Sequence, residues 1–338
     1  MIPTQTLGRF VHAQRRLYPD STGELSDLLE SISVGVKIIS QMVATAGFKG
    51  LHGYTGKMNL HGDETKLLDE EADEVLVELL GSSGHFGLLV SEERDSVIST
   101  DARNNEGKYV LAFDPLDGSS NIGSSIPTGT IFCIFRKRDD SRTARHDDFL
   151  QPGTEIVAAG YSVYGAKTQF VYSTGNGVHG FTLDPAIGEF VLTDEQIRVP
   201  ERGLIYSVNE GNTYLWAPEV REFVDQVKLS AEGRNGACYS GRYVGSLVAD
   251  FDRTLRKGGV FLYPHDTKRP DGRLRLLYEC MPLAFIMEQA GGVAVNGRER
   301  VLSIVPNSIH QKSAFITGSP HEVRWYQRVV HGIVDGGC

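Results

Sequence analysis

Three acidic features of the chain stand at the ends of apolar runs. GLLVSEE (87–93) closes on Glu92 and Glu93, YVLAFDPLDGSS (109–120) carries Asp114 and Asp117, and RLLYEC (275–280) carries Glu279. Ligand sites in α/β sheets favour the carboxyl ends of strands. Adjacent carboxylates repel one another, so a cluster of them needs compensating cations. Oxygen donors alone suit Mg²⁺ or Mn²⁺ rather than zinc. An isolated Glu-Glu pair reads first as a solvated turn. The segment from Asp114 to Ser120 is more specific: Pro115 fixes the backbone and Gly118 lets it turn sharply. Ser119 and Ser120 then begin a turn or helix whose N–H groups face outward. That is a phosphate cradle beside two metal-binding carboxylates.

Two further features bear on anions. Residues 252–275 hold Arg253, Arg256, Lys257, Lys268, Arg269, Arg273 and Arg275 against Asp252, Asp266 and Asp271, a local reversal of the chain's sign. The bland reading is a solvated basic surface. Ser21-Thr22-Gly23-Glu24 opens a long helix, and a helix N-terminus with small hydroxyl residues and Gly can hold an anion. Simple helix capping explains the same residues, with Ser21 and Glu24 as a capping box.

The elements that must position these groups are legible as periodicity. Leu25, Leu28, Leu29, Ile32, Val36, Ile39 and Val43 recur at helical spacing over 24–46, with Gly47 as the expected stop. Residues 48–62 read as a mobile loop and 65–80 as a second helix. GLLVSEE, KYVLAFD and TGTIFCIFRK read as strands. The polar stretch 138–154 reads as a surface excursion, followed by a meander of four strands to about residue 195. Helix-like runs then alternate with strands. This change places a boundary near 200, giving domains over 1–200 and 201–338.

Length and charge agree with this division. The chain has 338 residues, 40% hydrophobic and 23% charged, with a formal net charge of −9. That suits a globular protein of about two domains. The acid excess speaks against a nucleic-acid binder, which needs a basic field. Cys133, Cys238, Cys280 and Cys338 are widely spaced, so neither a disulfide framework nor a zinc cluster is expected. The N-terminus lacks a signal-peptide pattern. No uninterrupted apolar run approaches the roughly 18 residues of a membrane span. A cytoplasmic location follows as an expectation.

The order Asp69, Glu92-Glu93, Asp114-Pro115-Leu116-Asp117-Gly118-Ser119 resembles the signature of metal-dependent, lithium-sensitive phosphomonoesterases. DPLDGSSNI (114–122), LQPG (150–153), LDPAIGEF (183–190), NEGN (209–212), RYVGSLVADFDR (242–253), FLYP (261–264) and RLLYEC narrow the likeness to the class I fructose-1,6-bisphosphatase family, from about residue 6 to 320. The resemblance implies a mixed α+β and α/β fold, a layered αβαβα sandwich of two domains called the sugar phosphatase fold. It implies an enzyme of gluconeogenesis that hydrolyses the 1-phosphate of fructose 1,6-bisphosphate with Mg²⁺ (or Mn²⁺), two or three ions per subunit. Glu92, Asp114, Asp117, the Leu116 carbonyl and Glu279 resemble the metal ligands. Asp63 resembles a loop residue that joins them on closure. Asp69 and Glu93 resemble the pair that orients and deprotonates the attacking water. Asp117, Gly118, Ser119 and Ser120 resemble the 1-phosphate cradle, while Asn209, Tyr243, Tyr263 and Arg273 resemble the contacts to the sugar and its 6-phosphate. Arg242 would reach that phosphate from a neighbouring subunit, so a homo-oligomer, typically a tetramer, is implied. Thr22, Gly23, Glu24, Ser26, Lys108, Tyr109 and Arg136 resemble an inhibitory AMP pocket.

The chain departs from the pattern at Arg273, where Lys is usual, at Gly123, where Asp is common, at Pro127, and at Ser21. Arg keeps the charge of Lys but not its geometry. Sedoheptulose-1,7-bisphosphatase activity is the neighbouring alternative. Inositol monophosphatases share the acidic signature but complete it with an Asp after Trp, whereas Glu279 follows Tyr278. A binding protein that senses sugar phosphates or AMP without catalysis would not need Asp69, Glu92, Glu93, Asp114, Asp117 and Glu279 all intact.

Overall fold

The structure is a computed structural model that describes residues 5–15, 23–49, 54–58, 64–100, 107–229 and 238–332. Its first layer is helical: α1 (Leu7–Arg15), α2 (Glu24–Lys49) and α3 (Leu67–Gly81). The stripe expected for the first long helix is the buried one, since Leu28, Leu29, Ile32, Val36 and Ile39 are all buried. Gly47 does not stop α2, which runs on to Lys49. By length and composition α2 is also apolar enough to cross a membrane, which a search for uninterrupted apolar runs does not detect. Here its stripe is packed into the protein core with α1, α3 and the main sheet. The stretch expected as a loop holds a strand, β1 (Tyr54–Met58), antiparallel to β2 (Glu64–Lys66).

The second layer is an eight-stranded sheet. Its strands are β3 (Phe86–Ser91), β4 (Ile98–Ser99), β5 (Tyr109–Asp117), β6 (Gly129–Arg136), β7 (Ile156–Tyr164), β8 (Thr168–Ser173), β9 (Val178–Asp184) and β10 (Glu189–Ile197). They lie in the order β10-β9-β8-β7-β6-β5-β3-β4, and only β3 and β5 run parallel. Side chains alternate across the pleat. Along β5, Leu111 and Phe113 join the core shared with α1–α3, while Val110 and Ala112 join the opposite core.

That opposite core is completed by α5 (Leu247–Lys257) and α6 (Met281–Gln289), the third layer. The fourth is a five-stranded sheet, β12-β11-β13-β17-β15, built from β11 (Ile205–Ser207), β12 (Ser240–Gly241), β13 (Val260–Tyr263), β15 (Val293–Val295) and β17 (Phe315–Gly318). Phe261 and Phe315 face α5 and α6. Val260, Leu262 and Ile316 face the fifth layer, α4 (Pro218–Leu229) and α7 (Pro320–Val330). A short pair, β14 (Leu274–Arg275) with β16 (Lys312–Ser313), stands apart from both sheets. The order helices, sheet, helices, sheet, helices is the αβαβα sandwich expected.

The 138–154 excursion is more firmly held than its polar sequence suggests. Asp148 is fully buried and takes Arg142 on both oxygens, at 2.8 and 2.7 Å, with backbone N–H groups of Arg138 and Arg145 at 3.0 and 2.8 Å. Phe149 beside it belongs to the core of the third layer. Cys133 and Cys280 are buried thiols, as expected.

Helix α5 connects the two sheets. Phe251, fully buried, meets Tyr161 of β7 edge-on with ring centroids 5.4 Å apart. Truncating a buried aromatic ring removes its transfer energy and leaves a cavity, at a cost of about 3–5 kcal/mol. Phe251→Ala is therefore expected to lower the urea midpoint by that amount of stability at an unchanged m-value.

Candidate active site

The end of β5 is irregular for a local reason. Asp114 pairs with Ile131 of β6 and Asp117 with Gly129, with a register shift between them. Pro115 has no N–H for the ladder, and bulges accommodate such a residue. Thr130 donates its hydroxyl to the Pro115 carbonyl at 2.8 Å, and the Leu116 N–H donates to Asp114 Oδ1 at 3.0 Å. Gly118 follows at φ +75°, a left-handed position that only Gly takes cheaply. A tight helical turn, Ser119–Ser124, begins directly after it. The usual Asp at position 123 would be accommodated, for a Cβ on Gly123 meets nothing within 4 Å.

Three other elements bring acids to the same place. β3 ends at Ser91, and the next N–H, of Glu92, still bonds to the Phe113 carbonyl at 3.1 Å. Asp69 comes from the first turn of α3 and is buried. The short β14 stops at Arg275, so Glu279 is not at the end of a strand, contrary to the strand-end reading. It lies in a π-helical turn, Leu276–Cys280, that leads into α6. Such turns frequently mark functional sites. Its carboxylate accepts the Arg275 N–H. Oxygens of Asp114, Asp117 and Glu279 all lie within 4.8 Å of one another.

All of these groups line one cavity of about 490 Å³. Burial is the first cause that pushes the carboxyls of Glu93, Asp114, Asp117 and Glu279 up, and neighbouring carboxylates raise them further. Glu93 reaches about 8, raised further by Asp69 and Glu92. Asp117 reaches about 7, even though the Val248 N–H at 3.0 Å favours its charged form. Asp114 and Glu279 are both raised, after burial chiefly by Glu92. Hard oxygen donors packed this closely fit divalent cations of the Mg²⁺ type. Asp63 lies outside the described residues.

The cationic half faces them. Arg273, Arg275, Arg269 and Lys312 line the cavity together with Tyr243, Tyr263, Gly118, Ser119 and Ser120. Lys312 stands opposite Arg275 in the β14–β16 pair. Asn209 lines a smaller adjoining cavity that shares Tyr263, Arg269 and Arg273 with the first. Arg242 is exposed and lines neither. The basic stretch therefore divides. Arg253 is paired with Asp250 at 2.6 Å, and Arg256 with Asp252 and Asp194 at 3.0 and 3.2 Å. Only its later part reaches the cavities.

Sequence reasoning offered Arg269 and Arg275 for the phosphate-holding half only as part of the whole basic stretch, without separating them from Arg253 and Arg256. It missed Lys312, Ser246, Leu247 and Asp250 altogether. Lys312 gives no local signal because it arrives by a pairing across 37 residues. Asp250 sits within RYVGSLVADFDR, where helical amphipathicity explains it equally well.

A second group gathers at the start of α2. Lys108 bonds both carboxylate oxygens of Glu24 at 2.9 and 3.1 Å. Tyr109 and Arg136 are register partners on β5 and β6. Gly23 stands at φ +88°, and its carbonyl accepts the N–H of buried Ser26 at 2.9 Å. Glu24 uses its charge here, on Lys108. Thr22 and Ser21 lie outside the described residues.

The raised carboxyls have a thermodynamic consequence. Their folded-state values exceed the ordinary ones, so the stability they contribute is full below about 4.5 and is lost as pH rises through 7 to 8. Protein freed of divalent ions should show a falling thermal midpoint from pH 6 to 8.5. Added Mg²⁺ should raise the midpoint more at pH 8.5 than at pH 6; equal increments would contradict the crowding.

Known proteins share this arrangement of chain and fold. The fructose-1-6-bisphosphatase N-terminal domain family matches residues 5–195, and the corresponding C-terminal domain family matches residues 199–331. A class 1 fructose-1,6-bisphosphatase from Chlorobium phaeovibrioides is 45% identical, over 97% of this chain and 98% of its own. The cytosolic fructose-1,6-bisphosphatase of Arabidopsis thaliana is 47% identical, over 94% of this chain and 92% of its own. The crystal structure of Leishmania major fructose-1,6-bisphosphatase in holo form superposes with a TM-score of 0.90 at 39% identity, covering 96% of this chain and 98% of that one. With both halves of the family matched in order and the five layers shared, the chain belongs to the fructose-1,6-bisphosphatase family.

Proposed function

We propose that this protein hydrolyses the 1-phosphate of fructose 1,6-bisphosphate, giving fructose 6-phosphate and phosphate, as an enzyme of gluconeogenesis. One observation carries the reading beyond family membership. A crowded carboxylate half and a cationic half face each other in one cavity, and a second cavity with Asn209 opens beside the cations. A substrate with one phosphate needs only the first part. The second part suits a ligand with a phosphate at each end.

Glu92, Asp114, Asp117, Glu279 and the Leu116 carbonyl would hold Mg²⁺ or Mn²⁺, two or three ions, with Asp63 joining them. Bound there, the ions would neutralise the phosphoryl oxygens and acidify the attacking water. The chain's own groups do the rest. Glu93, which shares the cavity wall with Asp69, takes a proton from the water that Asp69 helps orient. The first amides of the turn at Ser119 and Ser120, at the cavity wall, cradle the 1-phosphate. The oxygen of the water bonds to phosphorus as the bond from phosphorus to the C1 oxygen breaks, in line, and the C1 oxygen leaves as a hydroxyl after taking a proton from solvent. Tyr243, Tyr263, Arg273 and Asn209 hold the far end.

Arg242, directed to neither cavity of its own chain, would serve a neighbouring subunit, and a homo-oligomer, a tetramer in this family, follows. The division of the chain at about residue 200 into an N-terminal and a C-terminal domain belongs to the same reading, as does a cytoplasmic location. The group at Gly23, Glu24, Ser26, Lys108, Tyr109 and Arg136, with Thr22, would take AMP as an inhibitor. Its support is the convergence of two cations on a helix N-terminus.

Phosphate release tests the reading. The unmodified protein with Mg²⁺ should turn over fructose 1,6-bisphosphate with a higher kcat/KM than inositol 1-phosphate. Removing the general base in Glu93→Gln should lower kcat by about 10²–10⁴-fold with little change in KM. Binding without turnover in the unmodified protein would favour a sensor instead. Millimolar AMP at low substrate should inhibit, and Lys108→Ala should lose that inhibition; activity indifferent to AMP would remove the nucleotide site.

A further inference from the structure

One acid in the cavity wall stands apart from the cluster around Asp114. Asp250 lies in the first turn of α5, fully buried. Its Oδ1 accepts the Ser207 hydroxyl at 2.8 Å, the Val244 N–H at 3.0 Å and the Arg253 guanidinium at 2.6 Å. Its Oδ2 accepts the Gly245 N–H at 2.9 Å and shares the Val244 N–H at 3.1 Å. Successive N–H groups converging on one anion form a nest. Gly245, at φ +84°, supplies the required curvature. Such a nest usually receives an external anion. Here a side chain of the protein fills it, so the object being fixed is the loop that bears Tyr243.

The same loop is tied at other points. The Arg242 N–H donates to the Tyr206 carbonyl at 2.9 Å. The Gly245 carbonyl accepts the Asn121 side-chain amide at 2.9 Å, from the turn that follows Gly118. Helix α5 itself offers the Val248 N–H to Asp117 at 3.0 Å. One short helix thus braces the two halves of the cavity, gripping Asp117 of the acid cluster by its first turn and the Tyr243 loop through Asp250. Tyr243 in turn shares the cavity wall with Tyr263.

We propose that Asp250 is a positioning residue for the second phosphate: it holds the Tyr243–Gly245 loop in the geometry that engages the far end of a bisphosphate. The proposal rests on the bisphosphate reading. A carboxylate serving stability alone would have no reason to act on one end of the substrate. Three of its five contacts go to the loop rather than to the core, and that loop lines the cavity.

Asp250→Asn tests it. The amide keeps the size but replaces one acceptor oxygen with an N–H₂ that opposes a backbone N–H. The expected result is a KM for fructose 1,6-bisphosphate raised about tenfold or more, with kcat within about threefold. Turnover of fructose 1-phosphate, which lacks the far phosphate, should keep its KM within about threefold. Amide hydrogen exchange at Val244 and Gly245 should speed up while exchange in β5–β7 does not. Gly245→Ala, whose Cβ would meet only Tyr243 at 3.6 Å, strains the nest without a clash and should raise KM in the same selective way; it carries the test if Asp250→Asn fails to fold. Equal losses on both substrates, or faster loop exchange with no change in the KM for the bisphosphate, would overturn the proposal. If the unmodified protein treats the two substrates alike, the bisphosphate reading itself fails. Calorimetric titration with fructose 6-phosphate then decides for Asp250: affinity weakened about tenfold in the variant supports it, and affinity unchanged overturns it.

Discussion

The repulsion among buried carboxylates at the end of β5 is the constraint on which the rest of the architecture depends. Seven acidic side chains and four basic ones line a single cavity among the described residues. Burial and mutual proximity push the carboxyls of Glu93, Asp114, Asp117 and Glu279 up, and such a cluster calls for positive charge. Each surrounding element offsets part of that cost. The first turn of α5 gives an N–H to Asp117, the turn into α6 gives one to Glu279, and the Leu116 N–H serves Asp114. What remains is a concentration of negative charge that divalent cations would neutralise.

The five layers can be understood as the means of holding that concentration in place. Asp69 comes from the first layer, Glu92, Glu93, Asp114 and Asp117 from the main sheet, and Glu279 from the third layer. Apolar cores shared between successive layers fix the elements that carry these acids. Interiors packed to this degree resist small displacements. The cationic half is carried by the short β14–β16 pair and the loops around it, outside both sheets. The Tyr243–Gly245 loop beside it is anchored by polar contacts to Asp250 and Asn121.

Much of this was legible in the sequence where function and local backbone coincide. The segment from Asp114 to Ser120 announces its bend through Pro115 and Gly118, and its role through the residues between them. The apolar stripe of α2 and the short apolar run of β5 gave the elements that flank it. Family likeness extended the reading to Glu279, Tyr243 and Tyr263, which no local pattern joins to Asp114. Where the reading failed, non-local physics was responsible. Gly47 did not end α2, because a single Gly costs a helix only about 1 kcal/mol relative to Ala. Tyr54–Met58 found a strand partner in Glu64–Lys66 despite a composition that suggested a loop. The polar 138–154 stretch closed around Asp148 because one buried carboxylate met a guanidinium and two backbone amides.

By itself, the amino-acid sequence determined the chemistry available: hard oxygen donors, a phosphate-sized turn and a reserve of guanidinium groups. These follow from residue type and from spacing within a few residues, where the backbone leaves little choice. Only the tertiary structure decided which of the basic residues serve the cavity. Arg253 and Arg256 are consumed by Asp250, Asp252 and Asp194, while Arg269, Arg273, Arg275 and the distant Lys312 face the acids. Charge along a chain does not reveal its partner, because an ion pair is set by distance in space. That distance is fixed here by the packing of α5 between two sheets.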